Sequence, residues 1–214
     1  MSLPEEEREG FAAFMLRLRS RGIASKELFT AFEQTPRGSF VPADWKAVVW
    51  SNRMVPIDCG ESLEACDLQG SVLYALDLKP GVLEIGTGSG YTAAVMARMV
   101  ERVLSLDRYK TLIEGARLRY EALGLSNIFL SQADGMEGAA DGPFDRIVVW
   151  AAFDEPPRRF VDFLATGGVM VAPVGPPDDV QMMTRFVKVG SRFERTDLEP
   201  VRLQPLMKGV ALAL

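Results

Sequence analysis

Two amphipathic stripes open the chain. Phe11, Phe14, Met15 and Leu18 recur at helical spacing within residues 5–20, and Leu28, Ala31 and Phe32 continue a second run that begins at Ser25, a side chain suited to capping. Pro36, Pro42 and Pro56 then punctuate an irregular stretch that carries Trp45 and Trp50. Residues 67–78 form a third helical run, stopped by Lys79-Pro80-Gly81. From residue 82 the rhythm changes. Apolar runs at 82–86, 102–107, 127–132, 145–150 and 168–174 have the length of strands, and helices are expected between them at 90–100, 109–123 and 156–165. In 109–123, Leu112, Ala116, Tyr120 and Leu123 make one stripe, and Gly124 ends it. Residues 181–189 and 198–206 read as a last strand pair about Gly190-Ser191.

Alternating strands and helices predict an α/β fold. The expectation is a Rossmann-like, mostly parallel sheet with helices on both faces and right-handed crossovers. An N-terminal helical cap precedes it and antiparallel C-terminal strands follow. At 214 residues the chain suits a single domain, 1–214. Within it, 1–80 reads as the cap with a loop segment and 81–214 as the α/β core.

Composition narrows the function classes. Hydrophobic residues make up 48% and charged residues 25%, ordinary values for a water-soluble globule. A net charge of −5 argues against a nucleic-acid partner, which would need a basic footprint. No apolar run has the length of a membrane span, and residues 1–9 are too acidic for a secretory signal. A cytoplasmic protein is expected, with Cys59 and Cys66 as reduced thiols. The chain has no histidine. That excludes Ser-His-Asp and Cys-His catalysis and any histidine-ligated metal, and no metal site is expected.

The strongest chemical signal is Val82-Leu83-Glu84-Ile85-Gly86-Thr87-Gly88-Ser89-Gly90-Tyr91. An apolar strand runs into three glycines spaced by two, where a backbone without Cβ can approach a ligand closely. The dinucleotide fingerprint would require glycine at 91, where Tyr91 stands. The pattern E-x-G-x-G-x-G is that of S-adenosyl-L-methionine (SAM) methyltransferases. Asp107 ends the next strand 21 residues after Gly86, the place of a ribose-binding carboxylate in a doubly wound sheet. Asp134-Gly135 ends the third strand, a position that faces adenine in methyltransferases. Methyl transfer suits a chain without histidine. The sulfonium is already electrophilic, and a carboxylate acceptor with a pKa of about 4 needs no base at neutral pH. Alignment and water exclusion remain for the protein to supply.

Further motifs identify a family resemblance. Arg21-Gly22-Ile23, Ala31-Phe32, Pro36-Arg37, Phe40-Val41-Pro42, Val55-Pro56-Ile57 with Gly60, and the run from Val82 through Ala93 follow in order. Asp134-Gly135, Pro143-Phe144-Asp145, Ala151-Ala152, Gly167-Gly168, Pro173-Val174-Gly175 and the tail Val201–Leu206 complete the series. This chain resembles the protein-L-isoaspartate O-methyltransferase family over nearly its whole length. The resemblance implies a SAM-dependent O-methyltransferase that repairs damaged protein by esterifying the α-carboxyl of L-isoaspartyl residues. SAM is then the cofactor, S-adenosyl-L-homocysteine its product, and an isoaspartate-bearing protein or peptide the partner. Gly86, Thr87, Gly88, Ser89 and Tyr91 would line the methionine and ribose part, with Glu84 and Gly90 in the same binding set. Asp107 would take the ribose diol with Arg108 beside it, and Asp134 and Gly135 would sit at the adenine.

The resemblance breaks in one segment. The family has Gln-Thr-Ile-Ser after the loop glycine, whereas Gly60 is followed by Glu61-Ser62-Leu63-Glu64. Ser62 stands in for the threonine, and Glu64 takes the serine position. These two are the candidate catalytic residues. An ionised Glu64 could only accept hydrogen bonds. It would repel a carboxylate about 4 Å away by roughly 4 kcal/mol at an effective dielectric of 20. Trp150 stands where the family usually has threonine. The alternative expectation is therefore a SAM-binding family member with a different, small acceptor or weak isoaspartyl turnover.

Overall fold

The structure is a computed structural model, and it describes residues 3–211. Helix α1 (Glu5–Ser20) places Glu5, Glu6 and Glu7 in its first turn, where carboxylates complement the helix dipole. Helix α2 (Lys26–Glu33) is capped by Ser25, whose hydroxyl accepts from Leu28 N at 3.2 Å. A short antiparallel pair, β1 (Val55–Pro56) and β2 (Ser62–Leu63), precedes α3 (Cys66–Leu76). The core then runs β3 (Gly81–Ile85), α4 (Tyr91–Met96), β4 (Arg102–Asp107), α5 (Lys110–Ala122) and β5 (Ile128–Gln132). It ends with β6 (Phe144–Val149), β7 (Leu164–Val174), β8 (Gln181–Val189) and β9 (Arg192–Val201).

One seven-stranded sheet has the order β5-β4-β3-β6-β7-β8-β9. Neighbours from β5 to β7 are parallel, and β8 and β9 join antiparallel. The pleat sorts the core. Val82, Val103, Val148, Val169 and Val171 belong to a cluster that holds the buried side chains of α1 to α4 with Ala116 and Tyr120 of α5. The alternate positions Leu83, Ile85, Leu104, Leu106, Ile147, Val149, Met170 and Ala172 pack on the other face with Phe153 and Phe160.

That second face differs from the expected helix over 156–165. Residues Arg158–Phe163 form a 3₁₀ helix instead. Pro156 and Pro157 stand at its head, and neither can donate a backbone hydrogen bond. Side chains three apart eclipse in a 3₁₀ helix. Phe160 and Phe163 accordingly meet edge to face with centroids 5.4 Å apart, and Phe153 meets Phe160 in the same way at 5.3 Å. Several boundaries also shift, among them the start of β7 at Leu164 and the end of β9 at Val201. α4 stops at Met96, short of 100, and β9 starts at Arg192, ahead of the expected 198. The charged run Arg192 to Asp197 conceals that strand because it lies on the sheet edge, where charges are tolerated and useful.

Strand order reverses between β3 and β6, so the connection after β3 runs toward β4 and the one after β6 runs the opposite way, toward β7. A crevice outside the carboxyl ends of the strands is expected at such a point. The candidate site lies there.

Candidate functional site

The glycine turn follows β3. Gly86, Gly88 and Gly90 have φ of +94°, +53° and +90°, the left-handed region that favours glycine. Gly86 N and Thr87 N both donate to Leu106 O, at 2.8 and 3.1 Å, so the turn is tied to the end of β4. A Cβ at Gly86 would stand 3.2 Å from Trp150 Cβ, and one at Gly90 would stand 2.6 Å from Tyr120 Oη.

Above the turn is a cleft of about 280 Å³. Six of the sequence-predicted residues line it: Ser62, Gly86, Gly88, Asp107, Arg108 and Gly135. Gly88 N donates to Asp107 Oδ2 at 2.9 Å, and Tyr109 N donates to Oδ1 at 3.0 Å. Each oxygen keeps accepting capacity for a further donor. Burial pushes the Asp107 carboxyl above its ordinary value, while the backbone N–H groups pull it back. Gly135 packs so closely on Ile85 that a Cβ would collide.

The other predicted residues lie behind the cleft. Glu84 is fully buried in β3 and accepts from Thr92 Oγ1 at 2.5 Å, Ser105 Oγ at 2.6 Å and Trp150 Nε1 at 3.1 Å. Burial outweighs these donors and pushes its carboxyl up to about 7. Thr87 Oγ1 lies 2.7 Å from Ser105 Oγ, extending the same network. Ser89 is buried beside the turn, and Gly90 O accepts from Tyr120 Oη at 3.1 Å. Tyr91 is fully buried and faces the cap, against Phe32, Phe40 and Trp50, with the Arg37 guanidinium 4.6 Å from its ring centre. Asp134 accepts from Met136 N at 2.9 Å and Gly209 N at 2.7 Å, which fastens the tail to the end of β5.

The acceptor-side segment is held differently. Arg37 is fully buried and donates to Val49 O at 3.0 Å, to Glu64 O at 2.5 Å and to Gln69 Oε1. It thereby joins the cap, β2 and α3. Arg17 secures the start of α3 through Asp67, at 2.8 Å. Glu64 is only 8% exposed and is not among the cleft residues. Burial lifts its carboxyl to about 7, Arg37 pulls it down, and Glu61 pushes it up again. At neutral pH this side chain is partly protonated and can donate, so the premise of a fixed negative charge at the serine position does not hold.

Trp150, which stands where the family usually has threonine, lines the cleft, and its indole N–H is turned back onto Glu84. Several cleft residues have no local signal. Gln204, Pro205 and Leu206 reach the site because the tail bridges to Ala152: Ala152 N donates to Gln204 O, and Leu206 N to Ala152 O, each at 2.8 Å. Glu61 and Tyr109 complete the polar lining. The donor set fits an adenosine-type cofactor. Ile85, Leu106, Leu112 and Leu206 give apolar walls. Asp107 offers open acceptor sites, and Arg108 Nε is buried with no partner.

Comparison with known proteins agrees. Residues 10–211 match the family described as protein-L-isoaspartate(D-aspartate) O-methyltransferase (PCMT). A protein-L-isoaspartate O-methyltransferase of Rhizobium meliloti (strain 1021) is 46% identical over 199 residues, covering 92% of this chain and 98% of that protein. Another, from Azorhizobium caulinodans, is 42% identical over 217 residues and covers both chains completely. A solved protein-L-isoaspartate O-methyltransferase superposes with a TM-score of 0.80 at 25% identity, over 94% of this chain and 67% of that one. A Plasmodium falciparum structure described as a beta-aspartate methyltransferase (PCMT), in complex with S-adenosyl-L-homocysteine, shares the fold with a TM-score of 0.78 at 24% identity, over 92% of this chain and 98% of that one. The chain belongs to the protein-L-isoaspartate O-methyltransferase family of SAM-dependent enzymes.

Proposed function

We propose that this chain transfers a methyl group from SAM to the α-carboxylate of L-isoaspartyl residues in protein or peptide substrates. The observation that carries the reading is one cleft that joins the glycine turn and Asp107 to Ser62 of the acceptor segment. When bound, SAM supplies a methyl group on a positively charged sulfur that a carboxylate can attack directly.

The residues divide the work. Gly86 and Gly88 admit the cofactor close to the backbone. Asp107 takes the ribose diol, and Arg108 closes over it with its free Nε. Gly135 forms the adenine wall, and Asp134 holds the tail that closes that end. Glu84, Thr87, Ser89, Gly90 and Tyr91 keep the turn in shape from beneath. Ser62 donates to the acceptor carboxylate from the cleft wall. Glu64, buried outside the cleft and within electrostatic reach of Arg37 and Glu61, is a partly protonated acid on the same segment. No general base is required, because the acceptor is ionised at neutral pH. The chemistry then rests on alignment and on walls that exclude water.

The cap and acceptor segment within 1–80 and the core within 81–214 act as one domain, both ends reaching past the described residues. The shared cluster of Phe14, Phe32, Trp50 and Tyr91 supports this, since it spans both parts. Among the described residues no helix is long and apolar enough to cross a membrane, and a cytoplasmic site of action is part of the proposal.

The test is methyl transfer from labelled SAM to an isoaspartyl peptide, beside the same peptide with ordinary aspartate. Base-labile incorporation into the isoaspartyl peptide alone supports the reading. Incorporation into neither, while SAM binds, contradicts the acceptor assignment.

A further inference from the structure

Glu61 is a second carboxylate at the cleft, and the roles above leave it unused. It lines the same cleft as Ser62, within electrostatic reach of Asp107 and Arg108. It is held from two elements distant in sequence. With the Gln204 amide nitrogen turned toward it, that nitrogen donates to Glu61 Oε1 at 3.0 Å and also to Oε2. Gln204 is itself fixed by the backbone bridge to Ala152. The Tyr109 side chain also hydrogen-bonds Glu61. The lining therefore sets two carboxylates, Glu61 and Asp107, against one guanidinium, Arg108. Asp107 is engaged by the backbone of the turn, whereas Glu61 stands on the acceptor segment, where donor and acceptor must meet.

SAM and S-adenosylhomocysteine share their adenosine and amino-acid parts. They differ in charge at sulfur, which is positive in the donor and neutral in the product. We propose that Glu61 is a charge selector that favours the positively charged donor over its neutral product, speeding exchange of one for the other. The inference rests on SAM being the methyl donor. The family pattern has glutamine where Glu61 stands.

Calorimetric titration of Glu61→Gln with each ligand tests it. Glutamine preserves length and the contact with Gln204, and a thermal melt checks that the fold is intact. We expect the SAM Kd to rise about tenfold and the S-adenosylhomocysteine Kd to change less than about threefold, the scale of one carboxylate–cation contact in a partly solvated site.

A second measurement needs no variant. Burial and the neighbouring Asp107 raise the Glu61 carboxyl, while Arg108 and the Tyr109 hydrogen bond lower it, with a net rise above its ordinary 4.5. Acidification into the carboxylate range should then erode the preference for SAM. Asp107 and Glu64 both interact with Glu61 and titrate alongside it, so the contribution of Glu61 is read as the difference between the native protein and Glu61→Gln across the same pH range. In Glu61→Gln the ratio should vary less with pH. Equal weakening of both ligands, or an unchanged ratio, overturns the role of Glu61 and leaves the donor assignment standing. Failure of the native protein to bind either ligand overturns both.

Discussion

The two walls of the cleft are built in opposite ways. The cofactor wall comes from one short stretch. Gly86, Thr87 and Gly88 bond to Leu106 and Asp107, all within a single strand–helix–strand unit. The acceptor wall comes from contacts between distant parts. Glu64 O depends on Arg37, 27 residues away, and Gln204 reaches the wall from the tail. A locally encoded wall survives substitutions elsewhere, whereas a wall assembled from afar is sensitive to its anchors. This is the physical reason a family motif can be recognisable in one wall while the other varies in residue type.

Arg37→Met should break the contrast most strongly. It leaves the buried acceptors Val49 O, Glu64 O and Gln69 Oε1 unpaired. At about 1–3 kcal/mol per orphaned group, the loss in stability should be at least about 3 kcal/mol. Denaturant melts read it directly. Any folded fraction should lose peptide turnover before it loses SAM affinity, because the glycine turn does not depend on Arg37 for its backbone bonds.

The carboxylate behind the cofactor wall gives the next effect. Glu84 has a folded pKa of about 7 against an ordinary 4.5. Between these values the native state keeps a proton that the unfolded chain releases, so the contribution of Glu84 to stability falls by about 3 kcal/mol as pH rises from about 4.5 to 7, and Glu64 adds a slope of the same sign. Glu84→Gln should remove most of the Glu84 contribution. Denaturant midpoints of both proteins at pH 5 and pH 7.5 check the difference, and identical slopes would remove the buried-carboxyl account.

Asp107→Ala should leave the fold in place and weaken SAM by about 1.5–3 kcal/mol, the worth of a charge-assisted hydrogen bond. Calorimetry measures it. The smallest effect is expected from Glu64→Ser. With the carboxyl already partly neutral near pH 7, peptide kcat/KM should change less than about threefold there. The gain should grow toward pH 8.5, where native Glu64 is ionised.

The same division explains what the sequence made legible. The strands from 82 to 174, the capped helix at Ser25, the glycine turn and Asp107 all announce themselves through short-range spacing. Tyr91 lies in the same motif, yet its ring turns into the cap core, because a side chain's direction depends on neighbours that the motif does not contain. The helix expected at 156–165 takes no account of Pro156-Pro157, and the apolar spacing of Phe160 and Phe163 fits a 3₁₀ turn as well as an α-helix. The tail residues Gln204 to Leu206 read as the end of a strand and as part of a family motif, and neither reading places them at the cleft. They reach the cleft only through the bridge to Ala152. The partial neutrality of Glu64 is set by burial, which the residue name alone does not disclose.

The most direct test is a competition of paired peptides for labelled methyl from SAM, one with L-isoaspartate and one with aspartate at the same position. The account predicts base-labile methyl ester on the isoaspartyl peptide alone, lost in Asp107→Ala at limiting SAM and recovered at high SAM. Equal labelling of both peptides, or none on the isoaspartyl peptide while calorimetry shows SAM bound, would contradict it.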